Sequence, residues 1–167
     1  RSSDLLADMR LQAWDTYDAL PMPYREEEWR RTDYRHIRWD EADPRISANG
    51  ATIEDVPQRN REPLAGEQGG LMVFVDGKLV HHDLDDELKQ QGVIFSDLRS
   101  AASKHEELVK ANLMTKVVKP DSGKFAALNA ALWDYGVFVH VPRNKAIEKP
   151  LQVVIYNTQP GASIGHM

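Results

Sequence analysis

The stretch that most constrains the fold runs from residue 121 to residue 156, where a helical pattern leads directly into two strand patterns. The strand patterns, at 137–141 and 151–156, carry apolar residues on both alternating sets of positions. We therefore expect strands that are covered on both faces, as in a layered or coiled β core rather than a surface hairpin. The helical pattern lies behind a possible Asp121-Ser122 cap, ends at Gly136, and consists of Phe125, Leu128, Leu132 and Tyr135.

The composition of the 167 residues excludes several classes of protein. Hydrophobic residues make up 41% and charged residues 28%, which is typical of a globular chain and not of a disordered one. A net charge of −5 argues against general attraction to nucleic acid or to an anionic membrane. No apolar run approaches the roughly 20 residues of a membrane span. The absence of cysteine excludes disulfides and thiolate ligands from this polypeptide.

The N-terminal part of the sequence predicts a helix followed by a polar, aromatic segment. Apolar residues at steps of three and four predict an amphipathic helix over Ser3–Leu20, which Pro21 and Pro23 end. A short helical turn at 26–30 and an extended segment at 34–39 are predicted to follow.

A long loop and a hairpin are predicted next. Residues 40–70 are rich in proline and glycine and keep no period, which indicates a loop. Two alternating runs, 71–75 and 78–82, flank Asp76-Gly77, a strong signal for a β-hairpin. Residues 92–95 predict a short buried strand.

Two helices are predicted between this strand and residue 120. Ser96-Asp97 can cap a helix that runs through Ala102. Ser103 and Glu106 form a capping-box pattern for a second helix, whose inward positions are Leu108, Val109 and Leu113.

Two short motifs could indicate chemistry, but the surrounding sequence fits neither. Gly161–Gly165 matches the Gly-x-Ser-x-Gly pattern of a hydrolase, with Ser163 as the nucleophile, yet the acid and histidine that should follow the serine have no room before Met167. His81 and His82 precede an acidic run that could bind a metal, but adjacent strand residues point to opposite faces. We expect a hairpin end that enters a helix there, and no catalytic or metal site.

The segment at 24–39 is the candidate for contact with a partner protein. It interleaves five arginines with four aromatic residues and four acidic residues, so its net charge of +1 is too small for a nucleic-acid surface. Aromatic residues and arginine are enriched at protein interfaces. The possible contact residues are Trp29, Arg30, Tyr34 and Trp39.

Three blocks of the chain resemble the SufB/SufD family of iron–sulfur cluster assembly proteins. The run KFAALNAALWDYGVFVHVPRN with the later EKPLQV looks like the segment that leads into the central β-helix of that family, and GVIFSDLRSAASKHEELV resembles the segment before it. The early LPMP with EEEWRRTDYR is similar to the N-terminal signature of the SufD branch.

This resemblance implies an α+β fold in which an N-terminal helical and mixed α/β region leads into the first strands of a right-handed parallel β-helix. It implies a domain of residues 1–119 and, at 120–167, a helix with the first strands of a β-helix that we expect to continue beyond Met167. It also implies a non-enzymatic scaffold subunit that joins SufB-like and SufC-like subunits in a cytoplasmic complex, or in the plastid stroma of a eukaryote.

The resemblance gives the segment no cofactor of its own. The iron–sulfur cluster is associated with the full complex, and the cluster-related residues of the family lie in later parts of the protein. Two alternatives remain open from the residues alone. One is a stand-alone interaction module that uses the surface from Trp29 to Trp39, and the other, less favoured, is a serine hydrolase at Ser163.

Overall fold

The described part of the chain contains helices and two small sheets. A computed structural model describes residues 2–24, 26–36, 50–62 and 67–158, with side chains from residue 6 onward. The α-helices of these residues are α1 (Ser2–Ala19), α2 (Gln58–Arg61), α3 (Asp86–Gln90), α4 (Leu98–Lys104), α5 (Glu106–Asn112) and α6 (Lys124–Leu132). The strands are β1 (Gly70–Val75), β2 (Lys78–Leu84), β3 (Ile94–Asp97), β4 (Val137–His140) and β5 (Leu151–Tyr156).

The larger sheet is mixed, in the order β2-β1-β5, and the smaller one pairs β3 with β4 in antiparallel fashion. In the larger sheet, β1 pairs antiparallel with β2 and parallel with β5, in a register from Gly70 opposite Leu151 to Val75 opposite Tyr156. The two strands predicted at 137–141 and 151–156 are therefore present but lie in different sheets. As predicted, these two strands do not form a hairpin with each other.

The predicted β-hairpin is confirmed. Asp76 and Gly77 connect β1 to β2 with positive φ angles of 45° and 81°, as expected for the tight turn that Asp-Gly favours. The pairing runs from Gly70 opposite Leu84 to Val75 opposite Lys78, with one irregularity between Val73 and Phe74.

Strand β1 is the centre of the hydrophobic core because every one of its residues is buried. Met72 and Phe74 pack on one face of the sheet with Leu88 and Phe95. Val73 and Val75 pack on the other face with Val56, whose exposed fraction is 0%. A strand covered on both faces needs apolar residues at consecutive positions, which is the pattern of GLMVFV.

Helix α1 packs against α6 through small side chains. Ala13 of α1 and Ala130 and Ala131 of α6 are buried and form one cluster. Arg10 donates from Nε to the carbonyl oxygen of Ala131 at 2.9 Å and lies with its guanidinium 5.7 Å from the ring centre of Trp133. The helix predicted over Ser3–Leu20 is confirmed to within one residue at each end.

The predicted ends of α6 were wrong. Residues Pro120–Ser122 form a separate 3-10 turn, in which the Ser122 hydroxyl accepts from the backbone N–H of Lys119 at 3.1 Å. Gly123 separates this turn from α6 in an extended conformation, so Ser122 caps the turn and not the helix. The helix ends at Leu132 because Trp133 turns to an extended conformation, so Tyr135 and Gly136 lie beyond it.

The predicted start of α5 was also wrong, whereas that of α4 is confirmed. The Asp97 carboxylate accepts from the backbone N–H of Ser100 at 2.9 Å and caps α4. Helix α4 then continues to Lys104 and includes Ser103, which cannot cap the next helix. The N-cap of α5 is His105, and Val109 is the buried residue of that helix.

The segments at 26–36 and 40–70 differ from the predictions where the structure describes them. Turns occupy 27–31, close to the short helical turn predicted at 26–30. Residues 35 and 36 form a turn instead of the predicted extended segment, because the Asp33 carboxylate accepts from the backbone N–H of Arg35 at 3.1 Å. Residues 50–62 hold a 3-10 turn, Ile53–Asp55, and helix α2, so this part of the predicted loop is ordered around the buried Val56. Residues 37–49 and 63–66 lie outside the described ranges.

The prediction that both late strands are covered on both faces was wrong for the described residues. Side chains on one face of β5 and at the end of β4 remain exposed, with exposed fractions from 37% to 48%: Val139, Val141, Val153 and Ile155. On the face of Met72 and Phe74, the cluster that covers β1 reaches β5 only at Leu151, so Val153 and Ile155 stay exposed. The α+β class is confirmed by helices with mixed sheets, and the parallel β-helix and the division at residue 119 stay predictions.

Candidate functional site

The possible contact residues Trp29 and Tyr34 lie together in an aromatic cluster on helix α6. Their ring centres are 4.7 Å and 5.2 Å from that of Phe125, and 6.0 Å from each other. Tyr24 stacks on Tyr34 with ring centres 5.4 Å apart. We call Tyr24, Trp29, Tyr34 and Phe125 the aromatic cluster. The structure therefore brings together two of the four predicted contact residues, and Trp39 lies outside the described residues.

Backbone turns after α1 place these rings on α6. The two prolines that end α1 redirect the chain, and Pro23 is itself buried. Two turns follow. In the first, the backbone N–H of Trp29 donates to the carbonyl oxygen of Glu26 at 3.1 Å, and in the second, that of Thr32 donates to the carbonyl oxygen of Trp29 at 2.9 Å. A turn can reverse the chain within a few residues, which brings Trp29 and Tyr34 onto the same helix.

Burial divides the aromatic cluster into an inner and an outer part. Tyr34 is 5% exposed, and its hydroxyl has no hydrogen-bond partner among the residues that the structure describes. Burial raises the pKa of this phenol above its ordinary value, so the hydroxyl stays protonated at neutral pH. Tyr24, by contrast, is 60% exposed, and Trp29 is half-buried. The outer part can therefore meet a partner, while Tyr34 and Phe125 hold it in position.

A cavity of about 370 Å³ lies beside the aromatic cluster. It is open to solvent and is lined by Tyr24, Trp29, Arg30, Arg31, Thr32, Asp33, Tyr34 and Arg35. Such a mixture of aromatic and guanidinium groups is typical of a contact between proteins.

Ion pairs in this segment neutralise part of its charge. Arg35 donates to both carboxylate oxygens of Asp33, each at 2.9 Å, and these hydrogen bonds hold the pKa of Asp33 well below its usual range. Arg30 lies 3.6 Å from Glu27, in an exposed pair of the kind that contributes little to stability. Arg30 is exposed and lines the cavity, and its contact with a partner stays a prediction.

The two histidines of β2 and the acid that follows this strand make contacts within the fold. His82 has its Nε2 2.8 Å from the carbonyl oxygen of Phe95, and His81 is paired with Val73 across the hairpin. Asp85 caps α3 by accepting from the backbone N–H of Glu87 at 2.9 Å. Within the described ranges, no three His, Asp or Glu side chains come close enough together to hold a metal ion. Ser163 and the rest of the Gly-x-Ser-x-Gly motif lie outside those ranges.

Sequence analysis missed the role of Asp76, which it assigned only to the hairpin turn. Its side chain is 3% exposed and accepts hydrogen bonds from both the backbone N–H and the hydroxyl of Thr158. Its own N–H donates to the carbonyl oxygen of Tyr156 at 2.9 Å. The carboxylate therefore joins the turn to the chain that leaves β5. A short-range turn pattern carries no signal for a partner 82 positions away.

Among the residues that the structure describes, no helix is long and apolar enough to cross a membrane.

Comparison with known protein families gives a match to residues 1–153 of the chain. The family model that matches these residues is described as the SufBD protein N-terminal region. The chain is 34% identical to the iron–sulfur cluster assembly protein SufD of Bacillus subtilis, over 97% of this chain and 37% of that protein. It is 28% identical to SufB of the same organism and 30% identical to a SufBD family protein of Staphylococcus haemolyticus, in each case over 88% of this chain and 33% of the relative. The chain thus spans about a third of the length of these relatives.

Proposed function

The chain belongs to the SufBD protein family, and from that membership we propose that it is the N-terminal part of a SufD-type scaffold subunit for iron–sulfur cluster assembly and transfer. The observation that carries the proposal is the match of the family model to residues 1–153, together with 34% identity to a SufD protein along nearly the whole chain. The higher identity to SufD than to SufB of the same bacterium, 34% against 28%, favours the SufD branch.

The segment contributes structure and contact to this assembly and is not itself an enzyme. The cluster is the cargo of the complete complex, and the absence of cysteine from this chain supports ligands elsewhere in the assembly. The proposed partners are SufB-like and SufC-like subunits. The proposed location is the cytoplasm, or the plastid stroma if the source is eukaryotic.

The exposed face of β5 supports the proposed parallel β-helix. Within the described residues, β5 is an edge strand of its sheet, with Val153 37% exposed and Ile155 41% exposed. An apolar strand edge is prone to pair with another strand unless it is covered. Further strands of a β-helix would provide that pairing and cover these side chains.

Copurification tests the proposed assembly. The complete gene product, carrying an affinity tag, is coexpressed with the SufB-like and SufC-like proteins of the same organism. We expect all three to elute together in size-exclusion chromatography, and we expect cells that lack the gene to have lower activity of iron–sulfur enzymes. Elution of the tagged protein by itself, with unchanged iron–sulfur enzyme activity in the deletion strain, would refute the proposal.

The aromatic cluster favours a second candidate function, an interaction module that works without the other subunits. Tyr24 and Arg30 are exposed at the cavity rim, and Tyr34 keeps its contacts with Trp29 and Phe125 when both are replaced. In this alternative, Tyr24→Ala with Arg30→Ala abolishes capture of a protein partner by the tagged protein. Val117→Ala, at a position that is 93% exposed, is the matched control. Unchanged capture by the double variant would exclude this surface.

A further inference from the structure

Helix α1 carries an exposed apolar surface that its packing on α6 does not use. Leu11 is 66% exposed and Trp14 is 46% exposed, although both belong to a helix whose buried face is centred on Ala13. Ala7 is also exposed and lies one helical turn before Leu11. We call Ala7, Leu11 and Trp14 the Leu11/Trp14 surface. Tryptophan is enriched among the residues that contribute most to binding at protein interfaces.

Trp14 is held in position before any partner arrives. Its ring lies 5.2 Å from that of Tyr17, measured between centres. The ammonium of Lys124 lies 4.0 Å from the ring centre of Tyr17 and also donates to the Tyr17 carbonyl oxygen. Lys124 of α6 thus holds Tyr17 in position, and Tyr17 in turn contacts the ring of Trp14. Less side-chain freedom is then lost when a partner binds, which favours association.

The exposed charges that α1 itself carries beside the Leu11/Trp14 surface are acidic. Asp8 and Asp15 lie along one side of it and Asp18 lies at its C-terminal end, all three exposed. The arginine of α1, Arg10, does not offset them, because it is directed to Ala131 and to the ring of Trp133. Carboxylates of this arrangement repel anionic lipid and nucleic acid and attract Lys or Arg side chains.

We propose that the Leu11/Trp14 surface binds a protein segment that is apolar on one side and bordered by Lys or Arg. The apolar residues of the segment would cover Leu11 and Trp14, while its cations would pair with Asp8, Asp15 and Asp18. This site is separate from the aromatic cluster, and it goes beyond the proposed role in cluster assembly because that role does not specify what α1 contacts.

Binding of designed peptides to the complete protein tests the chemistry of this site. The probe is an 18-residue helical peptide, about five turns long, with a leucine stripe bordered by lysines and a fluorescent label. Its counterparts carry glutamate in place of lysine, or serine in place of leucine. Fluorescence anisotropy should show saturable binding of the first peptide, weakened by salt, and at least about tenfold weaker binding of both counterparts.

Variants distinguish binding at this surface from attraction of the peptide to the negative charge of the whole chain. Trp14→Ala and the triple variant Asp8→Asn, Asp15→Asn, Asp18→Asn should each weaken binding at least about tenfold. The matched control removes three exposed acids elsewhere, Glu106→Gln, Glu107→Gln and Glu148→Gln, and should bind nearly as well as the unaltered protein. Equal losses in the two triple variants, or full binding to Trp14→Ala, would overturn the proposal.

A second copy of the chain is the competing occupant. Sedimentation velocity over a range of protein concentrations measures self-association, and circular dichroism confirms that each variant is folded. We expect no self-association that depends on Trp14. A dimer that dissociates on Trp14→Ala would assign the surface to another copy of the chain and would also overturn the proposal.

Discussion

Asp76 shows how one buried carboxylate connects distant parts of the chain. It occupies the first position of the β1–β2 turn with a φ of 45°, a conformation that Asp, Asn and Gly adopt most readily. In the same position its two oxygens accept from Thr158, beyond the end of β5. Local backbone conformation and a long-range contact thus favour the same residue.

Replacement of Asp76 should therefore destabilise the protein in a graded manner. Asp76→Ala removes both acceptors, leaves the N–H of Thr158 without its partner and places alanine at a positive φ. We expect a loss of about 2 to 4 kcal/mol in the free energy of unfolding, measured by urea denaturation of the complete protein. Asp76→Asn keeps one acceptor and tolerates the φ angle, so its loss should be smaller. Equal losses for the two variants would contradict this account.

At the scale of elements, the contact of α1 with α6 depends on small side chains. Ala13 is 1% exposed and Ala130 is 2% exposed, so the two helices leave no space for a longer side chain between them. Ala13→Leu should reduce the free energy of unfolding by about 1 to 3 kcal/mol, because an enlarged residue forces the helices apart. Ala19→Leu, at the exposed end of the same helix, is the control. Similar stability of the two variants would show that the α1–α6 contact accommodates a larger side chain without loss of stability.

The start of α3 gives a prediction on pH. Hydrogen bonds from the backbone N–H of Glu87 and from the Lys149 ammonium lower the pKa of Asp85 below its ordinary value. A lowered pKa in the folded state contributes stability above the unfolded pKa, and this contribution is lost as the pH falls through the folded pKa. The free energy of unfolding should therefore decrease below about pH 5.

Asp85→Asn isolates this contribution. Asparagine still caps a helix but carries no charge, so the variant should lose less stability than the unaltered protein on acidification. Urea denaturation at a series of pH values from about 3 to 7 measures the difference. Parallel curves for Asp85→Asn and the unaltered protein would contradict the assignment.

At the scale of the whole molecule, the exposed face of β5 allows a test of whether further strands cover it in the complete protein. In the described residues Val153 is 37% exposed, so a charge there would cost little. If further strands of a β-helix cover this face, Val153→Asp buries an unpaired carboxylate. The complete protein should then lose at least about 2 kcal/mol in the free energy of unfolding. Val117→Asp, at a position that is 93% exposed, is the control. Equal effects of the two substitutions in the complete protein would refute the proposed cover.

The candidate site was predictable from the sequence only in its residue types. Interleaved aromatic residues and arginines indicated a contact surface, and Trp29 and Tyr34 do lie together in the structure. Their common support, Phe125, follows Tyr34 by 91 positions and belonged to a different predicted pattern. Leu11 and Trp14 are apolar residues outside the steps of three and four that predict α1. Spacing alone does not show whether another element covers them.

The sequence by itself determined the type and approximate place of most elements: α1, the β1–β2 hairpin, β3, α4, β4 and β5. It could do so because apolar periodicity, prolines and the Asp-Gly turn act on neighbouring residues. The tertiary structure decided that β5 lies parallel to β1 and that β4 pairs with β3. It also decided which apolar faces stay open. Every strand edge offers the same backbone donors and acceptors, so the choice of partner depends on packing between residues far apart in the chain.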